Sequence, residues 1–378
     1  MTKAPNPRRK RSTINPNPTR KQVADIQLMP VPTQSPVVAD GDLIGDVRAL
    51  IGNAREATAY AVNSAIVLLH WSIGHRIQRE ILRGSVRAEY GKQILATLSQ
   101  ELVADFGRGY TYSNLMRMVK FAELFPDRAI VVTLSPQLSW SHFVAILPIE
   151  NELKRDFYSE MCRVERWSVR TLREKIGGML FERTALSKKP TELARQELAA
   201  LRTSDQLSPD LVFRDPYILD FLGLKDTYSE RDLETAILRE MELFLMELGA
   251  GFTFVARQMR IVIDGEDFSI DLLFYHRKLR RLVAIDLKLE KFKASYKGQM
   301  ELYLRWLEKH FMEPSEETPI GLILCESAGQ EQVELLQLDD TSIRIASYMT
   351  ELPPKKLLQK KLRAATEFAK QRLQEANQ

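Results

Sequence analysis

The feature that most restricts this chain lies between Phe252 and Glu290, where three strand-like runs follow one another with almost nothing between them. FTFVARQMRIVI (252–263) and EDFSIDLLFYH (266–276) flank Asp264-Gly265. That dipeptide suits a two-residue hairpin turn, whose central residues need positive φ. HRKLRR separates the second run from a third, LVAIDLKLE (282–290). Centring this second turn between Lys278 and Leu279 sets Asp271 opposite Asp286, and period-two alternation puts Lys288 on the same face as Asp286. Ile270, Leu272, Phe274, Val283, Ile285 and Leu287 fall on the other face, all apolar and suited to a core.

The flanking sequence extends this meander to an α-β-β-β-α-β order. ERDLETAILREMELFLMELG (230–249) reads as one amphipathic helix ending at Gly249, and ASYKGQMELYLRWLEKHF (294–311) as a crossover helix. PIGLILCES (319–327) suits a buried parallel strand and SIRIASYM (342–349) a last strand. The N-terminal half is all helical in pattern. A Pro-free run at 44–82 leads to ILATLSQELVADFG (94–107), YSNLMRMVKFAELF (112–125), LSWSHFVAIL, ENELKRDFYSEMCRVE and SVRTLREKIGGMLFERT. Residues 1–41 are rich in proline and polar groups and are expected to be disordered. The expected organisation is a basic tail at 1–41, a helical domain at 42–184, a linker at 185–210 containing Pro190 and Pro209, an α/β domain at 211–352 and a charged C-terminal helix at 353–378.

Composition excludes several classes. Cys162 and Cys325 are the only cysteines, which rules out a disulfide scaffold or a cysteine-based zinc module. The most apolar stretch, AYAVNSAIVLLHWSIG, is short for a membrane span and is interrupted by Asn63 and Ser64. The basic start has no apolar segment behind it. A soluble, cytoplasmic chain without a membrane partner is expected. The net charge of +4 hides two tails, 1–41 and 355–378, each carrying +5 over a middle of −6. Such tails either hold a polyanion or keep the chain soluble.

Chemistry is concentrated on the meander. Like charges directly opposed on adjacent strands destabilise a sheet, so a sheet that keeps Asp271 and Asp286 together is expected to hold a cation between them. Hard carboxylate oxygens, with the main-chain carbonyl of Leu287, suit Mg²⁺ or Mn²⁺. Lys288 is then placed to act on an attacking water or on phosphate charge. The competing reading is a solvated ion-pair face, Asp286 with Lys288 or Arg280. In the N-terminal half, two helices joined by RGYT have helix-turn-helix proportions, with Arg108 in the turn and Tyr112, Asn114 and Arg117 on the second helix facing nucleic acid. An ordinary helical hairpin explains the same spacing. His276, beside Arg277, Lys278, Arg280 and Arg281, forms a basic tip that could touch a phosphate backbone.

The spacing D-x₁₄-D-x-K on two antiparallel strands after a helix resembles the PD-(D/E)XK nuclease core. The following helix carries Gln299 and Tyr303 as Q-x-x-x-Y, one turn apart on one face, a motif that RecB-like members place beside the metal. The preceding helix supplies Glu234, with Glu230 and Glu240 as competitors, matching an acidic residue those nucleases often have there. VARQMRIVIDGEDFSIDLLFYHRKLRRLVAIDLKLEKFKASYKGQMELYL, RAEYGKQILATLSQELVADFGRGYTYSNLMRMVKFAELFP, LSWSH and WSVRTLREKI resemble the YhcG-like nuclease family over about residues 43–350. The resemblance implies a PD-(D/E)XK α/β core preceded by an all-α domain. It implies a Mg²⁺-dependent or Mn²⁺-dependent nuclease acting on DNA, with the helical domain binding DNA or a partner. A homo-oligomer or a defence-complex partner belongs to the same expectation. The alternative is a nuclease-fold nucleic-acid-binding subunit of a defence or recombination complex, with little turnover.

Overall fold

The computed structural model describes residues 43–83, 88–224, 228–327, 329–336, 342–351 and 353–375; the expected tail at 1–41 lies outside them. Contacts divide the chain into residues 1–59 and 60–378. The described part of the first unit, 43–59, is the opening of helix α1 (Leu43–Arg83).

The helical half continues through α2 (Ala88–Phe106), α3 (Tyr112–Leu124), α4 (Arg128–Leu134), α5 (Trp140–Ile146), α6 (Glu152–Glu165), α7 (Val169–Gly177) and α8 (Leu180–Arg183). Trp71 of α1 donates its indole N–H to the carbonyl of Phe125 at 2.8 Å, and Asn63 donates to the carbonyls of Ser135 and Leu138. These side chains satisfy carbonyls that helix ends leave without partners. Helix α4 was not expected from its β-branched sequence RAIVVTL. Asp127 caps it by accepting the N–H of Ala129, and Val131 and Leu134 are buried, so packing outweighs propensity. The single helix expected over SVRTLREKIGGMLFERT breaks at Gly178-Met179, where Met179 has φ 53°.

The expected linker is folded. Helix α9 (Thr191–Ser204) spans most of it, with Ala194, Leu198 and Leu201 buried at helical spacing. Arg163 of α6 and Arg202 of α9 both bind Glu160, whose side chain is fully buried. The polar residues that suggest a linker occupy the solvent side of an ordinary amphipathic helix. A short helix, α10 (Pro209–Val212), follows.

The second half is a six-stranded mixed sheet in the order β1-β6-β5-β4-β3-β2. The strands are β1 (Tyr217–Ile218), β2 (Phe252–Ile263), β3 (Glu266–His276), β4 (Arg281–Leu287), β5 (Glu317–Cys325) and β6 (Ile343–Met349). β2, β3 and β4 are antiparallel, whereas β4, β5, β6 and β1 run parallel. The β3–β4 register pairs Leu272 with Ile285 and Phe274 with Val283, as the turn-centred reading requires. The two-residue strand β1 was not expected; its Ile218 N–H is taken by Glu247, and Tyr217 lies beside Tyr348.

One helix expected before the sheet is two, α11 (Glu230–Arg239) and α12 (Met241–Leu248), because Glu240 leaves helical geometry at φ −102°, ψ 33°. They bury Leu233, Ile237, Phe244 and Leu248 against the sheet face made by Leu272, Phe274, Val283, Ile285 and Leu287. The crossover helix α13 (Ala294–His310) covers the opposite face, packing Met300, Tyr303 and Leu307 on Leu273, Leu282, Ala284 and Ile323. Ile270 departs from the expected alternation and lies in this second cluster. α14 (Gln330–Leu335) precedes β6. The chain's last described helix is α15 (Lys355–Glu375), whose Leu358 and Leu362 pack on Met179. Among the described residues no helix is long and apolar enough to cross a membrane.

Gly74 is where α1 and α3 meet most closely: a Cβ built there lies 1.8 Å from the Met118 carbonyl oxygen. Backbone cannot swing aside as a side chain can. Gly74→Ala should therefore lower the thermal midpoint, with a loss of about 1–3 kcal/mol or more. Gly52→Ala, at a helical glycine with open space around it, should leave stability equal or raise it by about 1 kcal/mol. Equal midpoints for Gly74→Ala and wild type in a thermal melt would contradict the close approach.

Candidate active site

Asp271 and Asp286 sit where β3 and β4 leave the core. Continuing the Leu272–Ile285 register by one residue brings them opposite each other on the α13 face. Asp271 is anchored by its neighbour: its Oδ2 accepts the Leu287 N–H at 2.8 Å. Asp286 is 3% exposed. Lys288 brackets it, with Nζ 3.1 Å from Oδ1 and 3.0 Å from Oδ2. The Lys288 backbone is fixed by donating to the Leu324 carbonyl at 2.8 Å, and its ammonium lies 5.3 Å from the centre of the Tyr296 ring. Of the two cations weighed as partners for Asp286, Lys288 is the one present; Arg280 instead pairs with Glu317.

The charges do not balance. Burial, with Asp271 alongside, pushes the Asp286 carboxyl up to about 6 against the pull of Lys288. Burial works against the Lys288 ammonium, but the charge and hydrogen bond of Asp286, then Asp271 and Glu230, hold its pKa above the ordinary lysine value. Burial is the larger cause of that rise; the shortage of positive charge is one of count, two neighbouring carboxylates beside the single ammonium of Lys288.

Gln299 donates to the Tyr303 hydroxyl at 2.6 Å, so the Q-x-x-x-Y pair is a connected unit on α13. Tyr303 is 1% exposed, and burial, together with the charges of Asp286 and Asp271, raises its hydroxyl pKa. Glu234 reaches the site indirectly through Gln258, whose Nε2 donates to Glu234 Oε2 at 2.8 Å and to Asp271 Oδ1 at 3.1 Å. Glu230 acts on Lys288 through its charge, and Glu240 pairs with Arg239. Gln258 and Tyr296 were missed in the sequence. The first had a signal: the turn that pairs Ile263 with Glu266 also sets Gln258 opposite Asp271.

Among the described residues, no group of three or more His, Cys, Asp or Glu side chains is arranged to hold a metal. The residues expected to hold a divalent ion are the Asp271 and Asp286 carboxylates with the Leu287 carbonyl, and the structure brings the two carboxylates to one face beside Lys288. Oxygen donors with surplus negative charge fit Mg²⁺ or Mn²⁺.

Away from the sheet, Arg108, Tyr112 and Arg117 are exposed around the turn into α3, whose Leu115, Met118 and Phe121 are buried. Asn114 differs from its expected role. Its amide donates to the Gly109 carbonyl at 2.5 Å and its Oδ1 accepts the Trp140 indole N–H at 3.3 Å, so it braces the turn. The basic tip is also corrected. His276 is fully buried, accepts the Leu279 N–H, and is held neutral by burial with a pKa pushed down to about 4. Lys278 donates to the Val164 carbonyl at 2.7 Å.

A family model described as the YhcG PDDEXK nuclease domain matches residues 210–363, and one described as the DUF1016 N-terminal domain matches residues 46–183. Over 340 residues the chain is 35% identical to the Escherichia coli (strain K12) protein named "Putative nuclease YhcG", covering 82% of this chain and 90% of that one. A repair endonuclease from Pyrococcus abyssi matches 35% of this chain and 50% of its own, at 18% identity and a TM-score of 0.24. EndoMS in its apo form matches 34% and 49%, at 17% identity and a TM-score of 0.23. The chain spans about half the length of each of these two structures.

The raised Asp286 pKa has a stability consequence. The fold favours the protonated carboxyl, so this group's stabilisation is complete below about pH 4 and is lost as pH rises through about 6. With chelator present, Asp286→Asn should gain stability relative to wild type between pH 4 and 7, by on the order of 1–3 kcal/mol. Denaturant melts at several pH values test this; a difference that does not change with pH contradicts it.

Proposed function

This chain belongs to the YhcG family of PDDEXK nucleases, and from that premise we propose that it hydrolyses phosphodiester bonds in DNA with Mg²⁺ or Mn²⁺. One observation carries the reading: Asp286, buried and raised to about 6, stands beside Asp271 with Lys288 close to both its oxygens. A phosphodiester is an anion, and a pocket with surplus negative charge repels it. Asp271, Asp286 and the Leu287 carbonyl would hold a divalent ion. When bound, such an ion supplies positive charge for the phosphate and lowers the pKa of water.

The protein's own groups do the rest. The Leu287 N–H bond to Asp271 fixes that carboxylate, while burial fixes Asp286. An ammonium has three donors; Asp286 accepts one from Lys288, and we assign another to the attacking water or a phosphate oxygen. The Gln299–Tyr303 pair closes the wall beside the carboxylates. In the helical half, the exposed Arg108, Tyr112 and Arg117 are assigned to the nucleic-acid backbone or a partner, and the site of action to the cytoplasm. An assembly with further copies or with a defence complex belongs to the same reading.

Purified protein should cut at least one of supercoiled, linear, branched or single-stranded DNA with Mg²⁺ or Mn²⁺, and none with chelator. Lys288→Met keeps the stem and removes the charge. It should bind DNA in Ca²⁺ as wild type does, yet cleave at least ~100-fold more slowly in single turnover. Equal rates would assign Lys288 to an ion pair alone. Binding without any cleavage by wild type would support a nucleic-acid-binding subunit instead.

A further inference from the structure

Gln258 stands in an unusual backbone state for its place. Among the described non-glycine residues with positive φ, Arg166 and Asp205 cap helices, Met179 precedes one, and Asp264 and Arg280 lie in turns. Gln258 lies inside the long strand β2, with φ 42°. A side chain with a Cβ rarely adopts that conformation without compensation, and such residues cluster where function demands a fixed geometry. Gln258 is exposed, so burial does not impose the conformation.

Its side chain does. Nε2 donates to Glu234 Oε2 at 2.8 Å and to Asp271 Oδ1 at 3.1 Å, and Oε1 accepts the Ser269 hydroxyl at 2.7 Å. A primary amide has two donors, and here each goes to a different carboxylate. Ser269 orients the amide so that its NH₂, and not its oxygen, faces the acids. Glu234 comes from α11 and Asp271 from β3, so the amide ties two separate elements at one point. Asp271 accepts the Leu287 N–H with its other oxygen, so both of its oxygens are held before any ligand arrives.

We propose that Gln258 is a positioning residue that sets Asp271 for a divalent cation and draws Glu234 to the same place. The inference rests on the cation reading of the Asp271–Asp286 pair given above. Its strained backbone is the consequence of aiming one amide at two acids from a strand. Groups that orient the ligands of a metal typically change its affinity 10–100-fold when removed.

The test uses the full chain, Mn²⁺ calorimetry and thermal melts in chelator. Gln258→Met keeps the length and removes the donors. Gln258→Gly also removes them, but it accommodates φ 42° without strain. Both should bind Mn²⁺ 10–100-fold more weakly than wild type. The Gly variant should nevertheless melt at or above the wild-type temperature, a separation that a merely structural glutamine does not give. Asp286→Ala, measured alongside, reports on the cation reading itself. If wild type binds Mn²⁺, Asp286→Ala does not, and both Gln258 variants match wild type, the positioning role is overturned and the cation reading stands. A Gly variant that loses stability together with affinity also overturns it. If wild type binds no Mn²⁺, the cation reading fails and the positioning role fails with it.

Discussion

Two carboxylates that repel each other are held on one face of a sheet, and the rest of the site depends on how that repulsion is managed. Asp271 is held by a main-chain N–H of the facing strand, and Asp286 is buried beneath α13 against a single ammonium. The protein does not neutralise the pair. It leaves Asp286 titrating near 6, which costs stability at neutral pH and leaves a place for positive charge. A sheet selected only for stability would have exchanged one acid for an amide or an apolar residue. Retaining the conflict is what the cation-dependent hydrolytic site proposed above requires.

The core explains why the conflict is tolerable. Leu272, Phe274, Val283, Ile285 and Leu287 are buried against α11 and α12, while Leu273, Leu282 and Ala284 are buried against α13. From Leu282 to Ile285, β4 is therefore apolar on both faces. Burying a side chain of this size stabilises a fold by roughly 1.5–3 kcal/mol, so a few of them outweigh one strained ionisable pair. The same two-sided burial keeps the strands from slipping, since a one-residue shift would exchange the two faces.

Legibility in the sequence followed the strength of the local signal. The β2–β3–β4 meander was readable because an Asp-Gly turn and successive apolar runs of strand length specify it together, and from it came Asp271, Asp286 and Lys288. Strand β1 has two residues and exists because Glu247 and β6 receive it, so no local pattern marks it. Helix α9 looked like a linker because its polar face outnumbers its buried Ala194, Leu198 and Leu201. Asn114 has the residue type of a base-reading group, but the Trp140 indole that occupies it is distant in sequence. Gln258 was within reach of the turn register; its reversed backbone was not, because φ 42° at a glutamine has no sequence signature.

The central claim is that the Asp271–Asp286 pair is a divalent-cation site, and anomalous diffraction from crystals grown with Mn²⁺ tests it most directly. The account predicts an anomalous peak within about 2.0–2.3 Å of an oxygen of Asp271, an oxygen of Asp286 and the Leu287 carbonyl. It also predicts that Lys288 is still beside Asp286. A fully formed site with no peak, and Lys288 alone bridging the acids, would contradict it.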